Sequence, residues 1–278
     1  MLSALLASIS YAGTVIIDKL SLSARKVPVK IFVPLVFIFL AGLTALLLPK
    51  FGALNLDKIN LYYIFIFLAM IVTAVIWNAY YYRSLEAESL HEFELIMLLS
   101  PLVTVIFAAI FLPSERDWIK ILIGVIASAA FVFTKIKKDH IVISKTTKTT
   151  LLAMLLMSLE AIFIKISLDI MSPVTLYFIR TFIVAIVFLV MYRPNFTKIV
   201  PATTLLVLFT SALAVVSMVL KFYGFKELGI VETTIILLLG PLLVQLYSFF
   251  LTKEKSLSKR ENLCLAVVIG CILFSLLR

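Results

Sequence analysis

Glu160 offers the most chemistry of any side chain here: a carboxylate inside an apolar stretch, eleven residues past Thr149. At 1.5 Å per residue that is about 16 Å along a helix axis, the mid-plane of a bilayer if the stretch crosses one. An ionised carboxylate at that depth costs about 2.5–3.5 kcal/mol on insertion scales, so it must face protein or water rather than acyl chains. There it could recognise a substrate ammonium, take up a proton during transport, or hydrogen-bond a neighbouring helix. Lys165 and Asp169 stand four apart and can pair on one helical face. Lys19, beside Asp18, has the same relation to the first apolar run that Lys165 has to the sixth. Two such lysines could meet an anionic substrate, or their long stems could carry the charge to the interface. Arg180 poses the same choice between substrate contact and interfacial or ion-pair duty.

Other candidates are uncharged or lie near span ends. Asn78 and Gln245 place amides in apolar spans, where each needs a partner on another helix or on a substrate. Glu94, seven residues before Pro101, shares a helix face with that proline and could reach a cavity mouth. Trp77, Tyr81 and Tyr82 close the third span, as an interfacial aromatic belt does. Pro101 and Pro241 cannot donate to the carbonyls of Met97 and Leu237, which predicts a kink in each helix. Carbonyls freed at membrane depth are tolerated where they face protein or a watery cavity. Paired prolines therefore mark a cavity wall and candidate hinges.

The elements that must position these groups are membrane helices. Residues 59–82 form an uncharged run, and comparable stretches recur along the chain. A span of about 20 apolar residues matches a hydrocarbon core of about 30 Å. Hydrophobic residues make up 63% of the chain and charged ones 14%, against roughly 45–50% and 25% in soluble domains. Ten spans are expected, at about 2–20, 31–48, 61–82, 93–113, 118–135, 149–168, 173–192, 200–222, 232–252 and 260–277. The net charge of +10 lies in lysines and arginines between apolar runs, which reads as loop charge at a membrane rather than nucleic-acid binding. His91 and His140 lack partners at metal-ligand spacing, and Cys264 and Cys271 share one face of one span. No metal or cofactor is expected. A phosphate loop of the GxxxxGK[ST] type is absent from the sequence, which disfavours nucleotide-driven pumping by this chain.

The polar segment 135–148 divides the spans five and five, and the halves match. Ser100-Pro101-Leu102 answers Gly240-Pro241-Leu242, and a glutamate stands nine residues before each proline, Glu92 and Glu232. Glu115 and Glu254 follow the two apolar runs, at loop edges where capping or ion pairing suits them. A repeat of five spans must enter the membrane from opposite sides in its two copies, giving an all-α membrane protein of two five-helix inverted repeats.

On the motif from Tyr82 through Glu92, Pro101 and Glu115 to Gly124, and its second copy from Tyr223 through Glu232, Pro241 and Glu254 to Gly270, the chain resembles the drug/metabolite transporter superfamily, specifically proteins with two EamA-like repeats. Phe131 stands where the first copy's second glycine belongs. The resemblance covers essentially the whole chain and implies repeats at 1–138 and 149–278. It also implies a carrier for small organic metabolites, with a cavity lined by the first, third, fourth, sixth, eighth and ninth helices.

The expected function is secondary transport of an amino-acid-like, sugar-phosphate-like or related solute by alternating access, coupled to protons or to exchange. A lipid-linked substrate translocator or an intramembrane enzyme is the alternative, although an enzyme would need more clustered groups at depth than one glutamate. Expected partners are lipid and a small-molecule substrate, without nucleic acid, in a monomer or homodimer in the cell membrane of a prokaryote. The lysine and arginine distribution favours both termini outside, whereas the family resemblance implies a cytoplasmic location for both.

Overall fold

A computed structural model of the chain describes residues 2–24, 27–87, 93, 96–97, 99–135, 145–198, 200–241, 243–244, 247, 263, 266–267, 269–271 and 274. Helices dominate it: α1 (Leu2–Lys19, continued by a π turn Leu20–Ala24), α2 (Val29–Ala45), α3 (Leu61–Ala87), α4 (Ser100–Phe111), α5 (Trp118–Lys135), α6 (Lys145–Ser167), α7 (Pro173–Tyr192), α8 (Pro201–Glu227) and α9 (Ile230–Leu237). Their starts follow local chemistry. Prolines 173 and 201 open α7 and α8, where a missing N–H is harmless. The Ser172 hydroxyl caps α7 by accepting from the Thr175 N–H at 3.2 Å.

Among the described residues, α1, α3, α6, α7 and α8 are long and apolar enough to cross a membrane, and α2, α4 and α9 are shorter apolar helices. The protein is an integral, multi-pass helical membrane protein. Ten full spans are not seen among these residues. One physical reason is that the fourth and ninth helices are interrupted. The Leu99 N–H bonds the carbonyl of Ile96 at 3.0 Å, and the Leu238 N–H bonds that of Ile235 at 3.3 Å. Both bonds reach back three residues rather than four, so the kink expected at each proline takes the form of a tightened turn just before it. Helix then resumes at Ser100-Pro101 and over 239–241. Most of the expected tenth span lies outside the described residues.

The outer faces are apolar. Along α3, Leu61, Phe65, Leu68, Val72 and Ile76 are exposed at spacings of three and four, a stripe suited to acyl chains rather than to water. Inward, α1 packs on α8, α3 on α6, α2 on α7 and α4 on α9, with α4 also touching α6 and α1 touching α9. Exchanging helices 1–4 with helices 6–9 reproduces this set of principal contacts. The cross-half pairs run antiparallel. On α3 and α6, Trp77 meets Glu160 and Ser84 meets Thr149. On α1 and α8, Asp18 meets Thr210 and Ala7 meets Ser217.

Candidate functional site

Glu160 sits on α6 with 1% of its surface exposed, turned into the protein interior. Arg180, on the adjacent α7 and 2% exposed, donates to it twice: Nε to Oε1 at 2.5 Å and Nη2 to Oε2 at 3.1 Å. Trp77 of α3 adds a third bond, Nε1 to Oε2 at 2.6 Å, while its ring lies beneath the Arg180 guanidinium at 5.8 Å. A two-pronged guanidinium–carboxylate pair fixes both direction and distance. With the indole bond it leaves the carboxylate well satisfied at a depth where an unpaired charge would be very costly.

These three residues border a cavity of about 170 Å³ between the two halves of the chain. Pro101 and Pro241 both line it, as does Asn78, whose amide donates to the Ala74 carbonyl at 2.8 Å. Asp18 of α1 also faces the cavity and is 2% exposed. It accepts from the Thr210 hydroxyl at 2.7 Å and from the Tyr82 hydroxyl. Lys221 of α8 lines the same space, its ammonium 5.3 Å from the centre of the Phe225 ring. One ion pair, one hydroxyl-solvated carboxylate and one ammonium thus share a chamber otherwise walled by apolar and aromatic groups. Such a chamber can admit and orient a small polar solute.

Lys19 and Lys165 are placed elsewhere. Lys19 Nζ donates to the Leu85 carbonyl at 2.6 Å, near the end of α3. Lys165 Nζ donates to the Phe225 carbonyl at 2.6 Å, near the end of α8, and lies 3.7 Å from Glu115 Oε1. Neither borders the cavity; each cation caps the carbonyl end of a neighbouring helix, where the helix dipole favours positive charge. The expected Lys165–Asp169 pair does not form, because α6 ends at Ser167 and Asp169 falls exposed in the following turn. Glu94 and Gln245 lie outside the described residues.

Three participants were not legible as such in the sequence. Trp77 looked like an interfacial aromatic and is instead buried against Glu160. Asp18 looked like a neighbour of Lys19 and is a cavity residue in its own right. Lys221 stood at the edge of the expected span 200–222 and drew no role there, yet α8 continues to Glu227. Arg180 and Tyr177 bring the seventh helix into the lining, and Phe37 and Leu40 bring the second, beyond the six helices expected. The usable signal was Arg180 itself, a cation inside an apolar span, which requires a buried counter-charge within reach.

Glu115 lies outside the cavity and holds a joint. Its Oε2 accepts from the Val231 N–H at 3.3 Å, at the start of α9. Gly229, with φ of 91°, makes the turn between α8 and α9, and a Cβ there would meet Glu115 Oε2 at 2.6 Å. The capping and ion-pair duty expected of Glu115 is what this geometry provides. Among the described residues no group of three His, Cys, Asp or Glu side chains stands together to hold a metal ion.

No curated protein matches the sequence. Among solved structures, a crystal structure of a protein 16% identical in sequence superposes with a TM-score of 0.71, covering 99% of this chain and 96% of the other. That likeness concerns the fold alone. The model of the EamA-like transporter family matches residues 147–276. Through that match, residues 147–276 are similar to the EamA-like transporter family.

Proposed function

We propose that the protein is a secondary transporter that moves a small polar organic metabolite across the membrane by alternating access between two five-helix inverted repeats, 1–138 and 149–278. The observation that carries this reading is a polar cavity whose wall is bonded from one half to the other. Trp77 reaches Glu160, Asp18 accepts from Thr210, Ser217 donates to the Ala7 carbonyl, and Ser158 donates to that of Ser100. A chamber at such a seam can change its exposure when the halves rock, without moving the solute relative to its ligands.

The antiparallel pairing of α1 with α8 and of α3 with α6 supports the inverted relation, as does the interchangeable contact pattern. The family match over residues 147–276 supports the second repeat. The tightened turns before Pro101 and Pro241 supply one bendable point in each half. Glu160 and Arg180 would present the polar face a solute meets, with Asn78 beside them. The site would work in the cell membrane of a prokaryote, in a monomer or a homodimer.

Uptake of radiolabelled amino acids, sugars and organic phosphates into proteoliposomes tests the reading. Saturable accumulation of at least one solute is expected, with a rate at least tenfold lower in Glu160→Gln. Chemical alteration of a solute without net movement would replace the transporter with an enzyme. Unchanged kinetics and pH dependence in Glu160→Gln would remove that residue from the mechanism.

A further inference from the structure

Of the four charges in the cavity wall, three are satisfied by the protein. Glu160 and Arg180 neutralise one another, and Asp18 holds two hydroxyl donors. Lys221 differs. Among the described residues, no carboxylate or carbonyl oxygen is hydrogen-bonded or ion-paired with its ammonium. Its contacts are the Phe225 ring at 5.3 Å and a longer-range attraction to Glu160. Phe225 cannot supply a counter-charge, since its ring offers only the negative face of a quadrupole. Glu160 cannot either, because Arg180 and Trp77 already occupy its oxygens.

A lysine in this position retains three donors with no carboxylate or carbonyl to take them. It lies two turns before the end of α8, so its stem could in principle carry the head to water. Instead the ammonium is folded over Phe225, four residues on, within the cavity. The neighbouring cation Arg180 has Glu160 as its counter-charge, so among the described residues Lys221 is the cation in this wall without one.

We propose that Lys221, with the Phe225 ring as its floor, forms an oxyanion subsite that binds a carboxylate or phosphate group of the transported solute. The inference rests on the transporter reading for the word transported; the binding subsite itself does not. A lone ammonium grips an oxyanion as a point charge rather than through a fixed fork, so it accepts tetrahedral and planar oxyanions alike. The ligand's shape must then be selected by the rest of the wall. One such group makes the cavity's charge neutral at this end, which favours a single oxyanion over a polyanion.

The test uses the full chain in lipid nanodiscs, with pyruvate as a carboxylate, glycerol 3-phosphate as a phosphate monoester, and glycerol as a neutral control. Thermal stabilisation and calorimetry read binding, since a ligand of the native state raises its melting point. At least one anion is expected to bind wild type, with affinity at least tenfold lower in Lys221→Gln and largely kept in Lys221→Arg. Glycerol should give no shift. The stronger of the two anions identifies the oxyanion class. Failure of both anions to bind wild type, or equal affinity in wild type and Lys221→Gln, overturns the subsite. Should Lys221→Gln fail to fold, Lys221→Arg retaining less than a tenth of wild-type affinity also overturns it, because the charge alone is proposed to suffice. Proteoliposome uptake separates the two readings. Lys221-dependent binding without uptake leaves the subsite standing and removes the transporter. Uptake with an unchanged KM in Lys221→Gln leaves the transporter standing and removes the subsite.

Discussion

Lys19 and Lys165 occupy matching places in the two halves and do the same thing. Each donates at 2.6 Å to a carbonyl two residues before the end of a neighbouring helix, Leu85 before Ala87 and Phe225 before Glu227. Five residues earlier the correspondence ends. Thr14 bonds its own helix through the Ser10 carbonyl at 3.0 Å, whereas Glu160 anchors the buried pair with Arg180. A parallel divergence appears on α3 and α8, where Tyr81 and Lys221 each lie four residues before the capped carbonyl and both face the cavity. The ends of the helices have kept their twofold likeness while the chamber between them has lost it. Structural duties repeat because both halves need the same frame. Recognition, on the proposed function, need not repeat, because a small solute presents different groups to its two sides.

That contrast can be broken most forcefully at Arg180. Arg180→Leu leaves the Glu160 carboxylate buried without its cation and should cost about 3–5 kcal/mol, read by denaturation in detergent. Thr14→Ala, at the position matching Glu160, should cost under about 1 kcal/mol. Similar losses in the two variants would show that the chamber is no less symmetric than the frame.

The next largest effect is expected at the capping lysines. Lys19→Met and Lys165→Met each remove a charge-assisted hydrogen bond, worth about 1.5–3 kcal/mol. The loss at Lys165 includes its partly exposed contact with Glu115, worth up to about 1 kcal/mol. If one variant is neutral, the likeness of the two helix ends is geometric and not energetic.

Gly229→Ala sharpens the contrast at a joint. A side chain at φ of 91°, pressed against Glu115, should cost about 1–3 kcal/mol in the same denaturation assay. An unchanged midpoint would mean that the turn relaxes freely. The smallest stability effect belongs to the prolines. Pro101→Ala and Pro241→Ala should each stay within about 1 kcal/mol of wild type while lowering the uptake rate to a similar degree. A rate loss confined to one of them would place the bendable point in a single half.

Much of the frame was legible because hydropathy is a local signal. The expected spans 118–135 and 173–192 coincide with α5 and α7, and α3 starts at the expected Leu61. Where a helix outran its apolar run, the reading slipped. α8 continues past the expected end at 222 to Glu227, and Lys221, near that expected edge, drew no role. Glu160 stood out because a carboxylate among apolar residues violates the composition of its surroundings. Its partner Trp77 did not, since it lies 83 residues away in sequence and an aromatic near a span end has an ordinary explanation. Pairings across the seam depend on which faces meet, and a single chain read alone carries little trace of that.

Glu115 follows α4, in the first half, yet its carboxylate grips the Val231 N–H and the Lys165 ammonium, both in the second. Through Lys165 the same cluster reaches the last turn of α8. Four helices therefore share one fulcrum on a single side of the membrane. Under the proposed alternating access, a rocking motion would either turn about this point, swinging the opposite side open first, or sever it, and Glu115 would then set the order in which the two faces unlatch.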